Sequence, residues 1–231
     1  MALKILSGGA ANGLVTALTE AFTEASGMGI EGDFGAVGGM RDRVLAGEAV
    51  DMIILTRAIA ESLAASGHVD AASVTDIGDV VTGVAVKDGT PLPDVSTGEA
   101  LRNVLLAADA IYVPDTVKST AGLHVAGVLQ ALGIADAVAD RLRCFANGQT
   151  ALKHMAAGDD ANPVGTTQIT EILNTPGVTY AGDLPAEHGL VTTYTAAICK
   201  RAALPKEARA LIEILTAPAH ADLRARVGFA G

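Results

Sequence analysis

The chain has no tryptophan, four phenylalanines, three tyrosines and two cysteines in 231 residues, and its acidic side chains outnumber the basic ones 26 to 16. With so few rings, Ala, Val, Leu, Ile and Gly must fill the interior, which suits an α/β protein built on parallel strands. The shortage of cations leaves a formal charge of −10 and a pI near 4.8. That balance excludes nucleic acid and an anionic membrane surface as partners, because both need a basic patch. A small anion is still accommodated. A few backbone N–H groups at helix N-termini bind one locally, while salt screens the distant carboxylates.

No apolar run reaches the roughly 18 residues of a membrane span, so no membrane insertion is expected. A signal-peptide pattern is also missing, since Met1-Ala2-Leu3-Lys4 passes straight into Ile5-Leu6, the first strand. Two localisations follow: the cytoplasm if Met1 is the native start, the periplasm if a leader was removed. Cys144 and Cys199 have neither metal nor redox spacing and read as small buried hydrophobes, with a disulfide between them as the open alternative. His68, His124, His154, His188 and His220 show no metal spacing. The patterns G-x-G-x-x-G, Walker and G-x-S-x-G are all absent. Neither cofactor nor metal is expected.

What is present is alternation. Lys4–Leu6, Ile30–Phe34 and the fully apolar Met52–Leu55 read as strands, and helical spacing recurs at Leu14, Leu18, Phe22 and Ala25, at Met40–Ala46 with Met40, Val44 and Leu45 on one face, and at Ala58–Ser66. This βαβαβα order implies a parallel sheet with right-handed crossovers, whose ligands bind beyond the carboxyl ends of the strands. A second segment repeats the logic: strand Val80–Val86, a break at Lys87–Pro91, helix Glu99–Ala107, strand Ala110–Val113, helix Ser119–Leu132, strand Leu142–Phe145 and helix Ala151–Ala157. Thr166–Leu173 fits neither period. Leu190–Ile198 reads as a strand returning to the first lobe, followed by a closing helix at Lys206–Leu215. The expected lobes are 1–84 with 191–231, and 85–190.

Several loops then fall at strand ends. Ser7-Gly8-Gly9-Ala10 and Gly38-Gly39-Met40 precede helices, where glycine lets the backbone approach a ligand. Thr56 ends the third strand. In the second lobe, Ser119 or Thr120 is a candidate N-cap that leaves N–H groups such as that of Ala121 for an anion, and Gly148-Gln149-Thr150 forms the next loop. Arg41 stands in a first helical turn, unfavourable against the dipole unless a bound carboxylate offsets the cost. Arg57 is a second candidate cation. His124, one turn into its helix, is the candidate general acid or base, against a structural histidine as the alternative.

These residues resemble the molybdate-binding-protein-like branch of the class II solute-binding proteins. The resemblance is carried by Lys4–Ala10, Phe34–Arg41, Asp51–Thr56, Ser119–His124, Gln168–Leu173 and Tyr194–Ala197, in order along nearly the whole chain. It implies a two-lobed periplasmic-binding-protein fold with a ligand cleft between the lobes, an anionic ligand, and an ABC transporter as partner if the protein is exported. Molybdate binders of that branch hold their oxyanion with serine hydroxyls; this chain offers Ala10 and Val37-Gly38-Gly39 instead, and Gln168 near their tyrosine-bearing loop. An arginine in the second loop resembles the aconitate-isomerase subgroup, which implies Arg41 and Lys118 as clamps on a carboxylate. Three functions are therefore expected, in descending order: a binder of a small organic carboxylate, a cytoplasmic isomerase of an unsaturated carboxylic acid, and a molybdate or tungstate carrier.

Overall fold

The computed structural model describes residues 2–230. In chain order the elements are β1 (Ala2–Gly8), α1 (Asn12–Ser26), β2 (Gly29–Gly35), α2 (Val37–Leu45), β3 (Met52–Thr56), α3 (Arg57–Ala65), β4 (Thr75–Lys87), α4 (Gly98–Ala107), β5 (Ala110–Pro114) and α5 (Thr120–Ala131). They continue with α6 (Ala135–Val138), β6 (Leu142–Phe145), α7 (Gly148–Ala157), β7 (Pro163–Gln168), α8 (Ile169–Leu173), β8 (Val178–Asp183), β9 (Val191–Ile198), α9 (Pro205–Thr216) and α10 (Ala221–Arg226). Two compact units result: one runs up to Val80 and resumes at Thr192, the other is Val81–Val191.

In the first unit the strand order is β2-β1-β3-β9. β1 is parallel to β2 and β3, whereas β9 runs antiparallel to β3, with Ile53 opposite Ala197. Met52, Ile53, Ile54 and Leu55 are all inaccessible, which is why β3 is continuously apolar: helices cover both of its faces. Helix α1 presents Leu14, Leu18 and Phe22 inward and packs on α9. It stops where Gly27 adopts φ 71 and returns its N–H to the Thr23 carbonyl, a left-handed cap that suits glycine. The buried Asp51 carboxylate ties the layers together, accepting from the N–H of Lys4 at 2.9 Å, Ala203 at 2.8 Å and Leu204 at 2.9 Å.

In the second unit β5 lies between β6 and β7, all parallel, while β4 runs antiparallel to β7 and to β8. The two-residue period of β5 divides the core. Ile111 and Val113 join Leu101, Val125, Leu129 and Ile134 on the α4–α5 side. Ala110 and Tyr112 join Ala151, Leu152 and Met155 on the α7 side. Arginines close helix C-termini, whose last carbonyls lack partners within the helix. Arg141 donates to Leu106 and Ala108 at the end of α4, and Arg102 to Leu132 after α5. In the first unit Arg224 does the same for Leu215 and Ala217 after α9.

The alternation read from the sequence is present, and several local expectations change. Ser7 and Gly8 are strand rather than loop, and Gly9–Ala11 form a single 3-10 turn. Gly38 and Gly39 lie inside α2, and Gly148, Gln149 and Thr150 inside α7. A glycine-rich stretch reads as a turn, but at an N-terminus the first N–H groups need no helical partner and the weak propensity costs little. Leu45 is 48% exposed, because α2 buries only Val37 and Val44, seven residues apart. Cys144 is exposed and only Cys199 is buried; both are free thiols. Burial, with the Asp51 carboxylate nearby, pushes the Cys199 thiol up to about 12. β8, α6, α8 and α10 gave no periodic signal, being six residues long or shorter.

Candidate functional site

Because β1, β2 and β3 are parallel neighbours, their carboxyl ends bring Ser7–Ala10, Gly38–Arg41 and Thr56 to one edge of the first unit. The side chains there are less available than their types suggest. Ser7 is inaccessible and donates its hydroxyl to the Gly8 carbonyl at 2.9 Å. Gly8 is small for packing reasons: a Cβ there would lie 2.7 Å from the Tyr194 ring and 2.8 Å from Val37. Ala10 is buried in the 3-10 turn, and Met40 packs its terminal methyl under Gly35. The backbone of α2 is different. Met40 makes the first helical bond, to Ala36. Among the described residues, the N–H groups of Val37, Gly38 and Gly39 find no acceptor, and the space where a Gly39 side chain would stand is open.

The two arginines differ. Arg41, fifth in α2 rather than in its first turn, is exposed and reaches only its neighbour Asp42, at 2.8 Å, a surface pair that holds it weakly. Arg57 opens α3 and forms an ion pair with Asp76, which also accepts the Thr195 hydroxyl at 2.7 Å. Burial works against the Asp76 carboxylate, yet the Arg57 and Thr195 hydrogen bonds hold it below the usual range. Asp76 thus links α3 and β9 to β4, while the Arg57 pair is as exposed as that of Arg41 and holds the guanidinium no more firmly. Thr56 is the half-buried N-cap position of α3 and makes no side-chain cap bond.

In the second unit β5, β6 and β7 bring Ser119–Ala121, Gly148–Thr150 and Gln168 to the same edge. Here the termini of two helices contrast. At α5, Ser119 accepts from the Gly122 N–H at 3.4 Å, and the N–H groups of Thr120 and Ala121 find no acceptor among the described residues. Below, the Asp115 carboxylate accepts from Val117 at 2.7 Å and Lys118 at 2.9 Å, and these bonds lower its affinity for a proton. The Lys118 side chain is exposed. At α7, by contrast, the Gly148 and Gln149 N–H groups bond the buried Glu171, and Asn147 accepts from Thr150 at 2.8 Å. The Gln149 side chain is turned to the Asn174 carbonyl at 3.2 Å. Gly148, Gln149 and Thr150 therefore spend their donors inside the unit.

His124 lies one turn into α5 and is tied to the segment after β8. Its Nε2 donates to the His188 carbonyl at 2.7 Å, and a carbonyl can only accept, so the ring serves as a tie between α5 and the segment after β8. It borders a recess of about 300 Å³ with Leu123, Gly127, Val128, Ala131, Glu187 and His188. Gln168 is 2% exposed and stands at the N-cap of α8.

Sequence reasoning missed a polar set nearby. Thr82 and Thr166 are 1% and 2% exposed, and their hydroxyls have no partner among the described residues. Thr166 pairs with Val84 and Thr82 with Gln168. Val84 belongs to the α5 side of the core, so the strand period puts both hydroxyls on the α5 face, toward the end from which α5 starts. Unpartnered buried hydroxyls are costly unless something fills the gap. The available signal was the run Thr166-Thr167-Gln168, polar where a strand covered on both faces should be apolar.

Known proteins share the fold. The chain is 26% identical, over 92% of its own length and 81% of the relative's, to an aconitate isomerase from a Pseudomonas species. The periplasmic molybdate-binding protein of Azotobacter vinelandii superposes with a TM-score of 0.80 at 17% identity, covering 99% of both chains. The sulfate-binding protein SubI of Mycobacterium tuberculosis H37Rv gives 0.75 at 16% identity, covering 99% of this chain and 86% of its own. The family described as bacterial extracellular solute-binding proteins matches residues 3–230. This chain therefore belongs to the bacterial extracellular solute-binding protein family.

Proposed function

We propose that the protein binds a small organic carboxylate at the carboxyl ends of its strands, closing two lobes, 1–84 with 191–231 and 85–190, around it. The observation that carries this reading is the α5 terminus: two N–H groups without an acceptor among the described residues, at Thr120 and Ala121, in a helix that covers the sheet face bearing the unpartnered hydroxyls of Thr82 and Thr166. A carboxylate accepts two to three such donors on one side and leaves the rest of the ligand free. On the first lobe, the Val37–Gly39 N–H groups and the loosely held Arg41 would meet a second negative group. Donors to a tetrahedral oxyanion are scarcer, since Ser7 is turned inward and Ala10 has no hydroxyl. If the protein is exported, an ABC transporter is its partner.

A second reading, isomerisation of an unsaturated carboxylic acid, is favoured by the identity to aconitate isomerase over most of the chain. Its candidate base is still His124: the Nε2–H given to the His188 carbonyl leaves Nδ1 as the basic nitrogen of the ring.

Thr120→Pro tests the binding reading. Proline is accepted at the first position of a helix and removes one N–H, and Ser119, at φ −93 and ψ 134, already has the extended backbone that proline demands of its predecessor. Calorimetry with di- and tricarboxylates, sulfate and molybdate should show a carboxylate bound by the wild type and an affinity at least about tenfold lower in the folded variant. Undiminished binding would remove α5 from the site. Molybdate binding without carboxylate binding would select the third function instead. Following trans-aconitate with the protein by NMR separates binder from isomerase.

A further inference from the structure

We infer that the N-terminus of α7 is a carboxyl-binding site whose occupant is the protein's own Glu171. Helix α7 spans ten residues and starts at the carboxyl end of β6, on the same edge of the sheet from which α5 starts. Its first free N–H groups would be an open anion site by helix geometry. They are all taken. Gly148 and Gln149 donate to the Glu171 carboxyl group, and the next N–H, that of Thr150, goes to Asn147.

The site is built around that side chain. The Thr167 hydroxyl donates to Glu171 Oε2 at 2.5 Å, and the Thr175 hydroxyl anchors the same residue by its carbonyl at 2.6 Å. A Cβ on Gly148 would lie 1.9 Å from Thr167 Oγ1 and 2.2 Å from Glu171 Oε2, so glycine is what lets the carboxyl group reach the helix. No cation participates: every group bonded to the head is a neutral donor, and the residue is 5% exposed. A carboxyl head held by backbone N–H groups and a hydroxyl is how an external carboxylate is received at a helix terminus; here the chain supplies it. The consequence for the carboxylate-binding reading, on which this clause alone rests, is that the start of α7 is closed to a ligand anion while the Thr120 and Ala121 N–H groups of α5 are not taken.

Chemical rescue tests the assignment without any cleft ligand. Formate is the head group that Glu171→Ala removes. Thermal unfolding of wild type, E171A and E171Q is compared in sodium formate and in sodium chloride at equal ionic strength. Formate should raise the midpoint of E171A by about 3 °C or more and leave wild type and E171Q unchanged, because their own side chains fill the site. No formate-specific gain in folded E171A, or an equal gain in all three proteins, overturns the assignment. If E171A does not fold in chloride, refolding yield becomes the readout: recovery in formate supports the site, and failure in both salts overturns it. Loss of ligand binding in Thr120→Pro would leave these outcomes unaffected, and the reverse also holds.

Discussion

Single side chains set the sharpest expectations. Asp51 accepts three backbone N–H groups from two distant segments of chain. Replacing it with Ala strands those donors, and urea unfolding should show a loss of about 3 kcal/mol or more. Glu171 gives a pH signature. Burial raises its proton affinity more than Thr167, Gln149 and Gly148 lower it, and no charged group contributes. The folded state therefore favours the protonated acid. Its stabilising share is complete below the ordinary glutamate value, about 4.3, and is lost as pH rises through the elevated folded value. The stability of wild type relative to Glu171→Gln should fall over that window; parallel curves would show that Glu171 titrates normally. Arg41, held only by Asp42 on the surface, is free to turn to a ligand. Arg41→Ala should weaken carboxylate binding at least about tenfold with thermal stability nearly unchanged, a combination calorimetry and melting together can check.

Elements are placed by their ends as much as by their faces. α5 fits against the end of β5 because Gly122 has no side chain: a Cβ would meet the Asp115 carbonyl oxygen at 2.1 Å and that of Pro114 at 2.6 Å. Both are backbone atoms, so no rotamer relieves the clash. Gly122→Ala should cost about 2 kcal/mol or more, and because the start of α5 must move, carboxylate affinity should fall with it. Retained affinity in a destabilised Gly122→Ala would show that the terminus and the ligand are independent. The element patterns themselves were open to reading from sequence where they were long. α1 shows Leu14, Leu18 and Phe22 at four-residue spacing, and β3 is four apolar residues in a row. Thr166–Leu173 resisted, because β7 is buried while polar at Thr166, Thr167 and Gln168, and α8 is five residues long. A strand with partners or a ligand for its hydroxyls does not advertise itself by hydropathy.

On the scale of the whole molecule, the chain passes between its two units twice, at Val80–Val81 inside β4 and at Val191–Thr192 at the start of β9. The proposed closure would hinge on these two connections. Solution scattering should record a smaller radius of gyration when a bound carboxylate is added to wild type; an unchanged radius at saturation would rule out closure.

The alternation of strands and helices and the acidic, cation-poor composition follow from sequence alone, since periodicity and composition are local properties that every residue reports. The ends of the strands were likewise legible, because Gly, Ser and Thr mark where apolar periods stop, although Gly38–Gly39 and Gly148–Thr150 belong to the helices that follow. Which of those ends could still receive an anion was decided only by tertiary structure. Ser7 spends its hydroxyl on Gly8, and His124 spends its Nε2 on the His188 carbonyl. Gly148 and Gln149 turn their N–H groups to Glu171, more than twenty residues further along the chain, while Thr120 and Ala121 keep theirs. A donor's type is written in the sequence; whether it is already satisfied depends on what the fold brings within three ångströms of it.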